Sequence, residues 1–208
     1  KECIPKIKMK GTDTNPEILQ ILNADHLSNA ETTFTLSNCS EPEHGAFLEG
    51  KSTATWYPNY TKDDFETIEV IAEAKVASIF HLGYSEDLIW EWLDRHSGDF
   101  ESAGELLLDL LDWEGEKFDE QIRCNTTRII ILEKFSVTEK YRNKGLGKFL
   151  ARKILYSAAA KGECVLVQPY LGTENGNEPE RLKNFWLGLD KGMKYSSKFN
   201  TIYTSIFE

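Results

Sequence analysis

Ile68, Val70, Ala72, Ala74 and Val76 alternate with Glu69, Glu73 and Lys75, the period of two that marks a strand with one buried face. Residues 65–82 therefore predict one long strand, or two joined by a tight bend. A helical spacing takes over at Ser85, a cap residue with Glu86 and Asp87 in the first turn and Leu88, Ile89, Trp92 and Leu93 on one face. His96-Ser97-Gly98-Asp99 interrupts it. A second helix then carries Phe100, Ala103, Leu107, Leu110 and Leu111, ends near Gly115, and gives way to an acidic loop over residues 113–121.

From Thr127 an apolar strand runs to Val137, followed by a glycine-rich turn. The next helix sets Leu146, Phe149, Leu150, Ile154 and Ala158 on one stripe and stops at Lys161-Gly162, a glycine cap. A short buried strand spans residues 164–168, closed by Pro169, and a polar loop follows over residues 172–179. A helix with Leu182, Phe185, Trp186 and Leu189 leads into a terminal hairpin of residues 193–195 and 202–207. Residues 1–64 carry the least pattern: a short helix over 16–22, and turns at 41–45 and 57–59. Together these elements predict an α+β fold, a mixed central β-sheet flanked by helices, in a single domain over residues 1–208.

Composition narrows the function. Of 208 residues, 40% are apolar and 28% charged, an ordinary globular mix. No apolar run approaches the roughly 18 residues that span a bilayer. The chain is expected to be cytoplasmic, with no membrane partner. A net charge of −10 argues against nucleic acid as a partner. That charge is uneven. Residues 128–153 hold eight Lys or Arg against Glu133 and Glu139, a local +6 that leaves −16 on the remainder. A small basic island on an acidic body suits a compact anion, although a solvated helix face would account for Lys140 and Arg152. Cys3, Cys39, Cys124 and Cys164 form no zinc spacing and demand no disulfide framework; Cys164 reads as a small buried hydrophobe. His26, His44, His81 and His96 form no ligand pattern either, so no metal is expected. The triplets at Asn38, Asn59 and Asn125 read as chance.

The candidate chemistry lies in the turn Arg142-Asn143-Lys144-Gly145-Leu146-Gly147-Lys148. A glycine-rich turn that opens a helix aims several backbone N–H groups at one spot, where the helix dipole also favours negative charge. A Rossmann fingerprint would need glycine at Leu150. A P-loop would need glycine at Arg142 and Ser or Thr at Phe149.

The turn, the preceding Phe135-Ser136-Val137 and the closing elements (the strand to Gln168, Asn184-Phe185-Trp186, Gly192-Met193) resemble the GCN5-related N-acetyltransferase (GNAT) family. The resemblance is clearest over residues 128–208. It implies an acyl-CoA N-acyltransferase-like fold, acetyl-CoA as co-substrate, and direct transfer to a primary amine without a covalent cysteine. It also implies that the backbone of Phe135, Ser136 and Val137 pairs with the pantetheine amides like an added strand. The N–H groups of Asn143, Lys144, Gly145, Leu146 and Gly147 would bond the pyrophosphate, with Arg142, Lys144 and Lys148 adding charge. Gly145 and Gly147 would admit close backbone approach, or would simply shape a tight helix entry.

Glu133 is the candidate base. Four residues before Val137, it should share that residue's face of the strand, the face expected to look toward the acetyl group. Simple ion pairing would also account for it, and Glu73 is a weaker alternative. The leaving-group acid would be Tyr195, Tyr170 or water, because Trp186 stands where many relatives place tyrosine and an indole N–H is a donor but no useful acid. The acceptor would be a small cationic amine or a peptide amine, and the protein a monomer or homodimer. Two alternatives stay open: a non-catalytic acyl-CoA-binding or regulatory module, and transfer of a longer acyl group.

Overall fold

The computed structural model describes residues 28–36, 47–56, 68–80, 105–106, 128–160, 163–167 and 178–205. Seven strands form one mixed sheet: β1 (Ser28–Leu36), β2 (Phe47–Trp56), β3 (Glu69–Phe80), β4 (Arg128–Val137), β5 (Cys164–Val167), β6 (Lys194–Ser196) and β7 (Thr201–Ser205). Their spatial order is β1-β2-β3-β4-β5-β7-β6. Every adjacent pair is antiparallel except β4 and β5. Helix α1 (Gly147–Ala158) makes the crossover that a parallel pair requires. Helix α2 (Glu178–Leu187) precedes the β6–β7 hairpin. This α+β architecture agrees with the expected class. The predicted helices over 16–22 and 85–111 lie outside the described residues apart from Glu105 and Leu106, which are helical. So do the predicted turns at 41–45 and 57–59 and most of the polar loop over 172–179.

The main core forms where α1 packs on the sheet. Leu150, Ala151, Ile154, Leu155 and Ala158 face Ala54, Ala74, Val76, Ile130, Leu132, Val165 and Val167. Each fully buried leucine or isoleucine there contributes about 2 kcal/mol. Thr32 Oγ1 lies 2.7 Å from Ser157 Oγ and 2.6 Å from Ser52 Oγ, so the end of α1 is also pinned to β1 and β2 through hydroxyls. Ala77, Ile79, Ile129, Ile131 and Leu166 are buried on the opposite face. Burial on both faces explains why β4 and β5 read as unbroken apolar runs.

Two expectations need revision, and two strands arise where the sequence predicts none. Ile68 and Val70 are exposed, although the alternation set them on the buried face. The ladder with β2 slips between Ala54 and Thr55, so Ile71 becomes the extra residue, turns into the core, and puts Val70 out of phase. The α1 cap is not glycine. The helix ends at Ala158, and Ala159 is extended (φ −120°, ψ 138°). The exit is held by Arg128, which donates to the Ala158 carbonyl at 3.2 Å and clamps Glu163 through two bonds of 2.8 and 2.7 Å. Glu163 in turn accepts the Ala160 N–H at 2.7 Å. Lastly, β1 and β2 lie in the stretch with the least readable pattern.

Gly50 shows how tightly the β1–β3 region is filled. A Cβ there would stand 2.7 Å from the Phe34 ring and 2.9 Å from Val76 Cγ2. Gly50→Ala is expected to lower stability by about 1–3 kcal/mol through overpacking. Urea denaturation followed by fluorescence would measure the loss, and an unchanged midpoint would contradict this packing.

Candidate functional site

Strand β4 is paired unequally on its two sides. Its ladder with β3 runs to Val137, but its ladder with β5 covers only Ile129 to Leu132. Among the described residues, the β5 side of Lys134–Val137 therefore has no strand partner. An extended ligand with amide groups could add to such an edge.

The chain leaves β4 through a tightly held corner. Thr138 donates its N–H to the Ile71 carbonyl at 2.9 Å and its hydroxyl to the Val70 carbonyl at 2.8 Å. A 3-10 turn over Glu139–Tyr141 follows, and Arg142 Nε bonds back to the Val137 carbonyl at 2.7 Å. Asn143 (φ 58°) and Gly145 (φ 79°) then adopt left-handed conformations. Such a turn redirects consecutive N–H groups, and glycine adopts it without steric cost. Helix α1 starts at Gly147 behind Leu146, which makes no side-chain capping bond, and its first turn contains no acid. The first-turn N–H groups thus remain available to an external anion.

Tyr141 anchors this corner. Its ring is buried and meets Trp56 edge-on at 6.3 Å, and its hydroxyl bonds the Glu69 carboxylate. Lys140 Nζ lies 3.1 Å from the same carboxylate and 5.0 Å above the Tyr141 ring, and Lys144 Nζ lies 5.8 Å from that ring. The Tyr141 hydroxyl bond, followed by that from Lys140, holds the Glu69 carboxyl below its ordinary range. Burial, reinforced by Glu69, pushes the Tyr141 phenol up to about 12.

The two glycines of the turn carry different constraints. At Gly145 the constraint is conformational. At Gly147 it is packing, because a Cβ would meet the Phe185 ring of α2 at 3.2 Å. Phe185 stacks with Phe135 (6.3 Å), and Trp186 meets both edge-on, at 5.1 and 5.7 Å. Trp186 is buried in the main core. This aromatic group locks α2 onto the end of β4 and the start of α1. Ser136 lies beside it on β4, paired with Glu73.

Glu133 does not share the face of Val137. The β3–β4 ladder slips between Lys75 and Val76, which pair with Lys134 and Leu132, so Glu133 is the residue passed over. A bulge resets the parity of a strand. Phe135 and Val137, opposite Ala74 and Ala72, pack against the helix-side core. Glu133 instead meets Lys75 at 2.7 Å, on the face opposite α1. An open groove of about 500 Å³ lies on that face, with Thr33, Lys51, Glu73, Lys75, Lys134 and Ser136 in its lining. Glu73 pairs with Lys51 at 2.8 Å.

Tyr195 stands apart from Glu133. In the sheet it follows the row Leu132, Val167, Ile202, Tyr195, about 14 Å across three strand spacings, and it packs on the helix-side core. Its hydroxyl donates to Asn200 Oδ1 at 2.9 Å. Tyr170 lies outside the described residues.

The basic island disperses in three dimensions. Arg128 serves Glu163, Lys140 serves Glu69, and Arg152 caps the chain after α2 through the Leu189 carbonyl. Lys148 Nζ reaches the Gly188 carbonyl at 3.2 Å. Arg142, Lys144 and Lys148 are the members that stay at the glycine turn. Sequence reasoning did not bring together Lys51, Lys75 and Lys134, which line the groove. Strand register alone aligns them, and no local spacing announces it. Among the described residues, no group of three or more His, Cys, Asp or Glu could hold a metal, and no helix is long and apolar enough to cross a membrane.

Neither a family model nor a curated protein matches the chain.

The Tyr141–Glu69 contact has a defined pH window. Glu69 is depressed in the fold, so its contribution is present above its ordinary value of 4.5 and is lost as pH falls through the lower folded value. Tyr141 is raised, so its contribution is present below 10 and fades as pH climbs toward about 12. Tyr141→Phe should cost about 1–2 kcal/mol near neutrality. The gap from wild type should narrow below pH 4.5 and above pH 10, as read from denaturation curves across pH. A pH-independent gap would show that the hydroxyl contact does not contribute this way.

Proposed function

We propose that the chain is an acetyl-CoA-dependent N-acetyltransferase with the GNAT fold, acting on a primary amine. One observation carries the reading. Within about ten residues, β4 offers an edge that has no strand partner among the described residues, and then turns through Asn143 and Gly145 into an uncapped helix N-terminus. An amide-bearing arm ending in a pyrophosphate needs both features, in that order along the chain. The backbone of Phe135, Ser136 and Val137 would bind the arm. The N–H groups of Asn143, Lys144, Gly145, Leu146 and Gly147 would bind the pyrophosphate, with Arg142, Lys144 and Lys148 supplying positive charge. The left-handed backbone at Gly145 (φ 79°), which excludes most side chains, supports the reading.

When bound, acetyl-CoA supplies an activated acyl carbon and a thiolate leaving group. The chain must orient an amine and take up its proton. Glu133, bulged out of the β3–β4 ladder and partly buried, is the base, and Lys75 Nζ lies 2.7 Å from its carboxylate. The N–C bond forms as the C–S bond breaks. Of the two protons the ammonium gives up, one passes to Glu133 and the other ends on the departing sulfur. Water delivers the latter in this reading, since the Tyr195 hydroxyl is committed to Asn200 three strands away.

A second reading is a non-catalytic acyl-CoA-binding module. The engagement of Glu133 by Lys75 and the core position of Trp186 favour it. Calorimetry and thiol release separate the two. Acetyl-CoA should bind the wild-type protein, and Gly145→Val should weaken binding at least tenfold. Glu133→Gln should retain that affinity while lowering turnover about 100-fold. Binding without thiol release from any amine would select the module, and no heat on adding acetyl-CoA would refute both.

A further inference from the structure

Three lysines stand side by side across the sheet. The ladders pair Lys51 with Lys75 and Lys75 with Lys134, so their side chains leave the same face in one row, about 5 Å apart. Like charges directly opposite on neighbouring strands destabilise a sheet. Two of the three are compensated: Lys51 by Glu73 at 2.8 Å and Lys75 by Glu133 at 2.7 Å. Among the described residues Lys134 is paired with no carboxylate, and its side chain lines the groove beside Ser136. The groove lining holds Lys51, Lys75 and Lys134 with Glu49 and Glu73, and Glu133 stands beside it on Lys75. An anion would relieve the row's repulsion.

We propose that the groove takes the acceptor and that the acceptor is an amino-carboxylate, a small molecule carrying both a primary amine and a carboxylate, as a free amino acid does. The proposal rests on the transferase reading and narrows the substrate class of that same site. The charge arrangement carries it. An incoming ammonium competes with Lys75 for Glu133. Once displaced, the Lys75 ammonium stands next to Lys134, and the two form a paired cationic site one residue along β4 from the base. A carboxylate on the acceptor fills that site, so one molecule engages both Glu133 and the two lysines. An acceptor with only positive charge would leave Lys75 and Lys134 confronting each other. The phosphates of the co-substrate are a poorer match. The glycine turn opens α1, which packs on the opposite face of the sheet.

The test compares each of the twenty amino acids with its amide, which keeps the amine and loses the carboxylate charge, in the thiol-release assay with acetyl-CoA. At least one amino acid should exceed its amide tenfold or more in kcat/KM. Lys134→Gln should bring that ratio to about one by raising KM. Amides that match or outperform the acids, while thiol is released, overturn the substrate class and leave the transferase reading standing. Weakened acetyl-CoA binding in Lys134→Gln, read by calorimetry, would assign the lysine to the co-substrate's phosphates and also overturn the proposal. If acetyl-CoA does not bind at all, the transferase reading fails, and saturation-transfer NMR with the same amino acids judges the groove. Binding to wild type that is lost in Lys134→Gln supports a carboxylate site, and no binding eliminates it.

Discussion

Two parallel neighbours cannot be joined by a hairpin, and β4 with β5 is the one parallel pair among the described strands. The connection must climb over the sheet, and α1 is that climb. Everything at the candidate site follows from where the crossover begins. The chain reaches the helix by turning sharply at the end of β4, and the turn needs left-handed residues at Asn143 and Gly145. It also needs an anchor, which Tyr141 supplies by burying its ring against Trp56 and its hydroxyl on Glu69. The other end of the crossover is held as firmly, by Arg128 between the α1 carboxyl end and Glu163.

The same crossover produces the asymmetry of β4. Four residues of β5 pair with its first half, after which the two strands share no ladder, while β3 accompanies β4 to its end. Where the described residues support a strand on one side only, its side chains must help to hold it. Phe135 is held by Phe185 and Trp186. Gly147 has no side chain because the Phe185 ring occupies that space. A glycine conspicuous in the motif thus serves the packing of α2 on α1, whatever else its backbone binds.

Two bulges decide which chemistry appears on which face. The slip at Ile71 moves Val70 out of the core and lets Glu69 turn inward to Tyr141. The slip at Glu133 sets Glu133 and Lys134 on the same face, with the lysine row, and leaves Phe135 and Val137 on the face with α1. Without the second slip, alternation from Leu132 would turn Lys134 under the helix and carry Phe135 and Val137 off that face. A single unpaired residue therefore fixes which side chains of one strand pack under α1 and which face the groove on the other side of the sheet.

Local pattern determined the mixed α+β architecture, the strand–turn–helix over residues 128–158, the buried strand at Cys164 and the terminal hairpin. Each depends on short-range periodicity or on a glycine whose conformation few other residues share, so each was readable from neighbouring residues. β1 and β2 escaped notice because their alternation is carried by Thr, Ser and Ala rather than large apolar residues, although the threonine-rich Thr32-Thr33-Phe34-Thr35 was a usable strand signal. Tertiary structure alone decided the face of Glu133, the separation of Tyr195 from it, the dispersal of the basic island and the alignment of Lys51, Lys75 and Lys134. All four depend on strand register across long sequence separations. A one-residue slip reverses every side chain beyond it and leaves no mark on the composition of the strand itself.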